Sequence, residues 1–176
     1  WYFDNARVRR EPSPFSHQLQ QPYIFFPGIR AKPFWDTAEF PWVADLEASH
    51  AVIRAEYDRA IANPAVQAEL TTYRGPDTAS PATPASEKVA WRSLALCEPR
   101  PNQAILQHFP QTWAALQRIP RFNPNAVVMF SCLEPNGHIE AHCGPANGVL
   151  RVHFGISGCT GSEVKVGGAT TALVDG

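Results

Sequence analysis

The stretch that most constrains this chain runs from Phe130 to Ile156 and has the sequence FSCLEPNGHIEAHCGPANGVLRVHFGI. It contains His138, His142 and His153, which are half of the six histidines in the chain. Turn residues interrupt the run repeatedly, so short extended pieces rather than helices must present these imidazoles. The stretch therefore predicts a binding site on a β framework.

Two segments of this stretch and its approach are predicted strands. Ala126–Phe130 is apolar and β-branched, and Val149–Ile156 alternates apolar and polar residues. Between them, Pro135–Gly137 and Cys143–Gly148 are strong turn signals. His138–His142 is then a brief extended piece between two turns.

In an extended piece, alternate residues share a face. His138, Glu140 and His142 are therefore predicted to point the same way. On the following strand, Arg151 and His153 share one face by the same rule.

Two metal-site patterns can be compared with His138–His142. The helical zinc hydrolase pattern needs two histidines one turn apart on a helix with a glutamate beside one of them, whereas Glu140 is central and turns flank the segment. The iron facial triad needs a carboxylate two residues after a histidine. After His142 that position is Gly144, which leaves the coordination position to water or another exogenous ligand. His138, on the same face, is an alternative second ligand.

The segment HCGPANGVLRVHFGI resembles the HxGPxNxxLRxHLGL stretch of the aspartyl/asparaginyl β-hydroxylase family, which comprises Fe(II)- and 2-oxoglutarate-dependent dioxygenases. The matching positions are His142, Gly144, Pro145, Asn147, Leu150, Arg151, His153 and Gly155. Phe154 replaces the leucine of that pattern. Pro22–Trp35 (PYIFFPGIRAKPFW) also resembles the YxPGLxAxPFW region of the family. The resemblance thus touches both ends of the chain.

The resemblance implies a role for each matching residue. His142 would be an iron ligand, in a family whose site has no carboxylate ligand. Ser131 and His153 would contact 2-oxoglutarate. Arg151 would grip a carboxylate of the cosubstrate or the substrate and is the predicted catalytic residue, a task that suits its planar two-pronged donor.

The family also has a second iron-binding histidine and a 2-oxoglutarate arginine, both shortly after the turn that Val174–Gly176 resembles. The sequence ends at Gly176. We therefore expect the natural protein to continue past Gly176 and to carry these residues there. A site with one imidazole should bind Fe(II) weakly or not at all.

The activity that the resemblance implies consumes O₂ and 2-oxoglutarate and hydroxylates an unactivated carbon. The expected target is the β-carbon of an aspartyl or asparaginyl residue or a related amino acid, in a peptide or small-molecule carboxylate or amide. Relatives act on other substrates, including a lipid acyl chain. Two alternatives stay open: a non-catalytic cupin-like module that binds anions through Ser131, Arg151 and His153, and a zinc hydrolase.

Helices first and strands afterwards predict an α+β fold. A helix over Val43–Asn63 carries one apolar stripe, and Pro64 ends it or starts a short second helix. The further predicted elements are a strand at Val89–Leu96, one or two helices in Gln103–Ile119, and strands at Glu163–Val166 and Thr171–Val174.

We predict a single oxygenase domain over residues 1–176. Residues 1–41 form an extended wrapping segment, 43–122 mainly helical support with a mobile loop at 71–86, and 123–176 a β core. The resemblance implies that this core is a double-stranded β-helix, the cupin-like jelly roll, with its last strands missing after Gly176.

Composition narrows the class of protein. A formal net charge of −1 gives no basic surface for nucleic acid. The sequence has no apolar run long enough to span a membrane. Its four cysteines lack CxxC spacing, which favours reduced thiols and a cytoplasmic location.

Overall fold

The structure is a computed structural model that describes residues 7–8, 24–72, 91–120, 122, 127–139, 142, 144 and 146–176. Within these residues the chain is a mixed α+β protein with three small antiparallel sheets. The predicted fold class is confirmed at this level. The division of the whole chain into an extended segment, a helical support and a β core stays a prediction.

Five short α-helices pack against one sheet. They are α1 (Trp42–Ala48), α2 (His50–Ile61), α3 (Pro64–Ala68), α4 (Gln103–Leu106) and α5 (Pro110–Gln117), after a short 3₁₀ helix at Thr37–Glu39. Asn63 caps α3 by accepting a hydrogen bond from the Ala65 backbone N–H (3.0 Å). Proline at the first position of α3 and of α5 fits because its missing N–H would have no partner there.

The prediction of a single helix over Val43–Asn63 is wrong, because the helix is interrupted at Ser49. The Ser49 hydroxyl donates to the Asp45 carbonyl oxygen (2.9 Å), and the Ser49 N–H bonds to the Leu46 carbonyl oxygen (3.0 Å). Serine competes in this way with the regular helical bonds of the backbone. Two helices, α1 and α2, result.

The central sheet has the order β3 (Thr71–Thr72), β4 (Trp91–Cys97) and β5 (Val128–Leu133), all antiparallel. The smaller sheets pair β1 (Arg7–Val8) with β2 (Ile24–Phe25), and β6 (Glu163–Val166) with β7 (Ala169–Ala172). Four of the five predicted strands are therefore found, Glu163–Val166 with the predicted ends and the other three with shifted ends. The main shift is that β5 extends past Phe130 and includes Ser131.

The helices pack on one face of the central sheet, where Leu94, Leu96 and Phe130 are buried. The Phe130 ring lies 4.9 Å from the rings of both Tyr57 and Phe109. The core cluster consists of Leu46, Ile53, Ala60, Val66, Leu94, Leu96, Ile105, Leu106, Phe109, Ala115 and Phe130. This core fixes the position of β4 and β5.

Glu56 is a buried carboxylate within this core, and only 1% of its surface is exposed. It accepts hydrogen bonds from the backbone N–H groups of Gln111 (2.9 Å) and Thr112 (2.8 Å) and from the Thr112 hydroxyl (2.7 Å). These N–H groups belong to the first turn of α5, where a negative charge is favoured. Glu56 of α2 thus caps α5 across the helix interface.

The strand predicted at Val149–Ile156 is wrong, since residues 149–156 form no strand. The carbonyl groups at its end bond elsewhere. Gly155 accepts from the Gly176 N–H (3.0 Å), and Ile156 accepts from the His50 ring (2.9 Å). A strand needs a partner strand for these groups, and alternation of residue types cannot supply one.

The remaining fold predictions have mixed outcomes. The described strands do not show a jelly roll topology, so the double-stranded β-helix stays a prediction. Of the predicted loop at 71–86, Thr71–Thr72 form β3 and the rest lies outside the described residues. Cys97, Cys132 and Cys159 are free thiols, whereas the cytoplasmic location stays a prediction. Among the described residues, no helix combines the length and the hydropathy that a bilayer span requires.

Candidate functional site

Ser131 lies in β5 and is bonded to a tryptophan of the neighbouring strand. The indole Nε1–H of Trp91 donates to the Ser131 hydroxyl oxygen at 2.6 Å. Trp91 is 7% exposed, whereas Ser131 is exposed. The pairing Ser93↔Ser131 places Trp91 and Ser131 on the same face of the sheet, diagonally across the ladder. The Ser131 hydroxyl is therefore fixed by a hydrogen bond from a buried indole, while the serine itself stays exposed to solvent.

His142 lies beside the same tryptophan. The His142 and Trp91 rings have centroids 6.2 Å apart and planes inclined at 35°, within the range of aromatic pairs that interact. The His142 side chain is exposed. One buried indole therefore contacts both the predicted iron ligand and the predicted 2-oxoglutarate serine.

Asn147 ties the histidine-bearing loop to the N-terminal segment. Its side-chain oxygen accepts from the Phe26 N–H (2.7 Å), and its side-chain nitrogen donates to the Phe26 carbonyl (2.9 Å). Ala146 forms a parallel bridge with Ile24. A Cβ added at Gly148 would lie 3.1 Å from the Phe26 ring. The two stretches that carry the sequence resemblance are thus in direct contact.

Arg151 and His153 form a second group on the exposed segment. Partial desolvation of the His153 ring lowers its pKa below 6.5, and the charge of the nearby Arg151 lowers it further. His153 is nevertheless exposed, as are Leu150 and Val152. The predicted alternation therefore does not give one buried face and one exposed face here, because residues on both faces are exposed. A lowered pKa keeps the imidazole neutral near neutral pH, so it can accept a hydrogen bond.

The residues after His153 turn back onto the core. Phe154 packs edge-on against the His50 ring (5.8 Å between centroids). A Cβ added at Gly155 would lie 1.9 Å from the Val174 carbonyl oxygen, so only glycine allows this approach. The Asp175 carboxylate accepts from the N–H groups of Cys159 (2.9 Å) and Gly158 (3.2 Å). The exposed segment is therefore anchored at its C-terminal end.

The structure also tests which groups could be held here. The Ser131 hydroxyl and the Arg151 guanidinium have the chemistry of a carboxylate site. For a metal, His142 contributes an imidazole. Among the described residues there is no group of three or more histidine, cysteine, aspartate or glutamate side chains arranged to hold a metal ion. The side chain of Glu140 lies outside the described residues. These side chains therefore have the chemistry that a carboxylate ligand requires, and His142 could supply one imidazole to a metal.

Sequence reasoning predicted Ser131 and His142 as site residues but missed Trp91, which contacts both. Trp91 was part of a predicted strand without a role. The register of β4 against β5 decides this contact, and no local pattern in the sequence reveals that register. The one available signal was that a buried indole usually finds an acceptor for its N–H. Asn147 was identified by resemblance alone, without its bond to Phe26.

The structure is that of an α+β protein in which Ser131 and His142 both contact Trp91, while Arg151 and His153 lie near each other on an exposed segment. Residues 47–176 match the family described as "Aspartyl/Asparaginyl beta-hydroxylase". The match covers most of the chain, and the chain belongs to this family. The resemblance of Pro22–Trp35 lies before the matched residues.

The chain is also similar to a curated protein, the "Ornithine lipid ester-linked acyl 2-hydroxylase" of Rhizobium tropici. The two are 37% identical over 125 residues, which cover 70% of this chain and 42% of that relative. The matched stretch thus spans less than half of the relative's length.

Proposed function

We propose that the protein is an Fe(II)- and 2-oxoglutarate-dependent dioxygenase that hydroxylates an unactivated carbon. The observation that carries the proposal is the contact of both Ser131 and His142 with Trp91, within the stretch that matches the family. His142 would supply an imidazole to the metal. When bound, Fe(II) with O₂ and 2-oxoglutarate supplies the oxidising power for hydroxylation, with release of succinate and CO₂.

The chain's own residues would bind and orient the reactants. The Ser131 hydroxyl would donate a hydrogen bond to a carboxylate oxygen of 2-oxoglutarate. His153, kept neutral, would accept or donate one hydrogen bond beside it. Arg151 would bind a carboxylate with two parallel N–H bonds. Such fixed contacts contribute by holding reactants in one geometry rather than by taking part in proton transfer.

For the substrate we propose an acyl chain of an amino-acid-containing lipid. The relative's name supports this choice, and so does the surface beside Arg151. Val149, Leu150 and Val152 expose 71%, 52% and 53% of their surfaces, which is unusual for adjacent apolar residues. An apolar strip that flanks a guanidinium suits a molecule with an acyl chain and an acidic group.

The second candidate substrate is an aspartyl or asparaginyl residue, hydroxylated at its β-carbon. The family's description supports it, and Arg151 would then bind the substrate carboxylate or amide. Incubation of the purified protein with each substrate, Fe(II), 2-oxoglutarate and O₂ distinguishes the two. Mass spectrometry should show gain of one oxygen atom in the lipid, and a gain in the peptide alone would reverse our choice.

The variant His142→Ala, made in the intact natural protein, tests the reaction class. Substrate-dependent succinate formation should be abolished, while His138→Ala, the matched control on the neighbouring histidine, should keep near-normal turnover. Near-normal turnover of His142→Ala would refute the iron-ligand role. If turnover is lost in His138→Ala but not in His142→Ala, His138 is the iron ligand instead.

Arg151→Lys keeps the charge and removes the two-pronged contact. We expect the KM for 2-oxoglutarate or for the substrate to rise roughly tenfold, the effect of one lost charge-assisted hydrogen bond. If both KM values stay unchanged, Arg151 does not bind a carboxylate in this reaction.

A further inference from the structure

Trp91 is placed where no role has been assigned to it. Its indole N–H reaches the Ser131 hydroxyl at 2.6 Å, its ring lies 6.2 Å from the His142 ring, and 7% of its surface is exposed. A buried, sheet-borne side chain that contacts two exposed site residues can set the orientation of both.

The chemistry of the indole fixes the direction of the hydrogen bond. An indole N–H can only donate, so the Ser131 oxygen must accept. A hydroxyl whose oxygen accepts from one side still carries its own proton. That proton is then directed to a second partner, which has to be an acceptor. A carboxylate oxygen is charged, so it accepts a stronger hydrogen bond than a neutral acceptor does.

The surrounding structure keeps this arrangement rigid. Trp91 pairs with Leu133, and Ser93 pairs with Ser131 in the β4–β5 ladder. On the other face of the same strands, Leu94 and Phe130 are buried in the core. The sheet register therefore makes Trp91 and Ser131 neighbours on one face, within reach of the hydrogen bond.

We propose that Trp91 is a positioning residue for the cosubstrate. It holds the Ser131 hydroxyl as a donor toward a carboxylate of 2-oxoglutarate, and its ring aligns the His142 imidazole beside that site. This inference rests on the proposed dioxygenase function. It adds a residue that acts through Ser131 without itself touching the reacting atoms.

Trp91→Phe tests the inference, because it keeps an aromatic ring and removes the N–H. Binding of 2-oxoglutarate to the intact natural protein is measured by isothermal titration calorimetry with anaerobic Fe(II). Ser131→Ala should weaken binding about tenfold and Trp91→Phe about fivefold, the range of one hydrogen bond. In the double variant the loss should equal that of Ser131→Ala alone, because the indole acts through the hydroxyl.

Trp113→Phe is the matched control. Trp113 lies in α5 with its ring in edge contact with Phe122 (5.5 Å), so this variant removes an indole of comparable size elsewhere. It should leave the dissociation constant for 2-oxoglutarate unchanged. If Trp91 had only a structural role, Trp91→Phe would lower the thermal stability. Any effect on the dissociation constant for 2-oxoglutarate would then persist in the Ser131→Ala background.

The outcomes separate this inference from the proposed function. If Ser131→Ala weakens binding and Trp91→Phe does not, the positioning role is overturned and the dioxygenase proposal stands. If the wild-type protein does not bind 2-oxoglutarate with Fe(II), both are overturned.

A second measurement covers the case in which Trp91→Phe does not fold. In wild-type protein with ¹⁵N-labelled tryptophan, the indole N–H resonance of Trp91 should move when 2-oxoglutarate is added. It should also move in Ser131→Ala, which loses the acceptor. A resonance that is unchanged in Ser131→Ala would overturn the inference.

Discussion

Phe109 and Val149 represent two regions of the molecule that are built differently. Phe109 is fully buried between the helices and the central sheet, whereas Val149 exposes 71% of its surface on the segment between His142 and Gly155. In the first region nearly every large side chain has apolar neighbours. In the second, residues 149–153 are all exposed, and contacts at the two ends hold the segment. Stability should therefore depend on the first region and ligand binding on the second.

The largest difference is expected from truncating these two side chains. Phe109→Ala should lower the free energy of unfolding by about 3–5 kcal/mol, because it removes a ring from a closed core. Val149→Ala should change it by less than about 0.5 kcal/mol, because the side chain is exposed. Urea denaturation measures both, and similar losses in the two variants would remove the distinction between the regions.

Glu56→Gln is the next largest effect. The amide cannot replace both carboxylate oxygens as acceptors for the Gln111 and Thr112 N–H groups, so about 1–3 kcal/mol of stability should be lost. Glu47→Gln, on the exposed face of α1, serves as the control and should be nearly neutral. If the two variants have equal stability, the Glu56 cap does not stabilise α5.

Asn147→Asp should have a smaller and more local effect. The aspartate still accepts from the Phe26 N–H but cannot donate to the Phe26 carbonyl, so about 1 kcal/mol of local stability should be lost. Hydrogen exchange should become faster in residues 24–29 and 146–148 and stay unchanged in β4. Faster exchange throughout β4 would show that the loop and the core are one cooperative unit.

The smallest effect concerns acid pH. Hydrogen bonds from Cys159 and Gly158 to the Asp175 carboxylate hold its pKa below 3.8. The stabilisation that this bonding provides is fully present above pH 3.8 and is lost as the pH falls through the lower folded-state pKa. Asp175→Asn should therefore show a weaker loss of stability in this acid range. If the melting temperatures of both proteins fall identically with decreasing pH in this range, the assignment is contradicted.

The sequence predicted the helices and strands of the core region well, because their apolar periodicity reports burial directly. It failed at Ser49, where a side-chain hydrogen bond interrupts the helix. It also failed at residues 149–156, which pair with no strand among the residues that the structure describes. For the site, Ser131 and His142 were predicted by resemblance, while the contact of both with Trp91 depends on strand register. Whether Arg151 and His153 share that site stays a prediction.

Anaerobic addition of Fe(II) and 2-oxoglutarate to the purified intact natural protein tests the central claim most directly. The account predicts a weak visible charge-transfer band that is lost in His142→Ala and diminished in Ser131→Ala. Protein that copurifies with zinc and gives no band would instead be a hydrolase. Protein that binds anions with neither metal nor band would be a binding module, and either result would contradict the dioxygenase assignment.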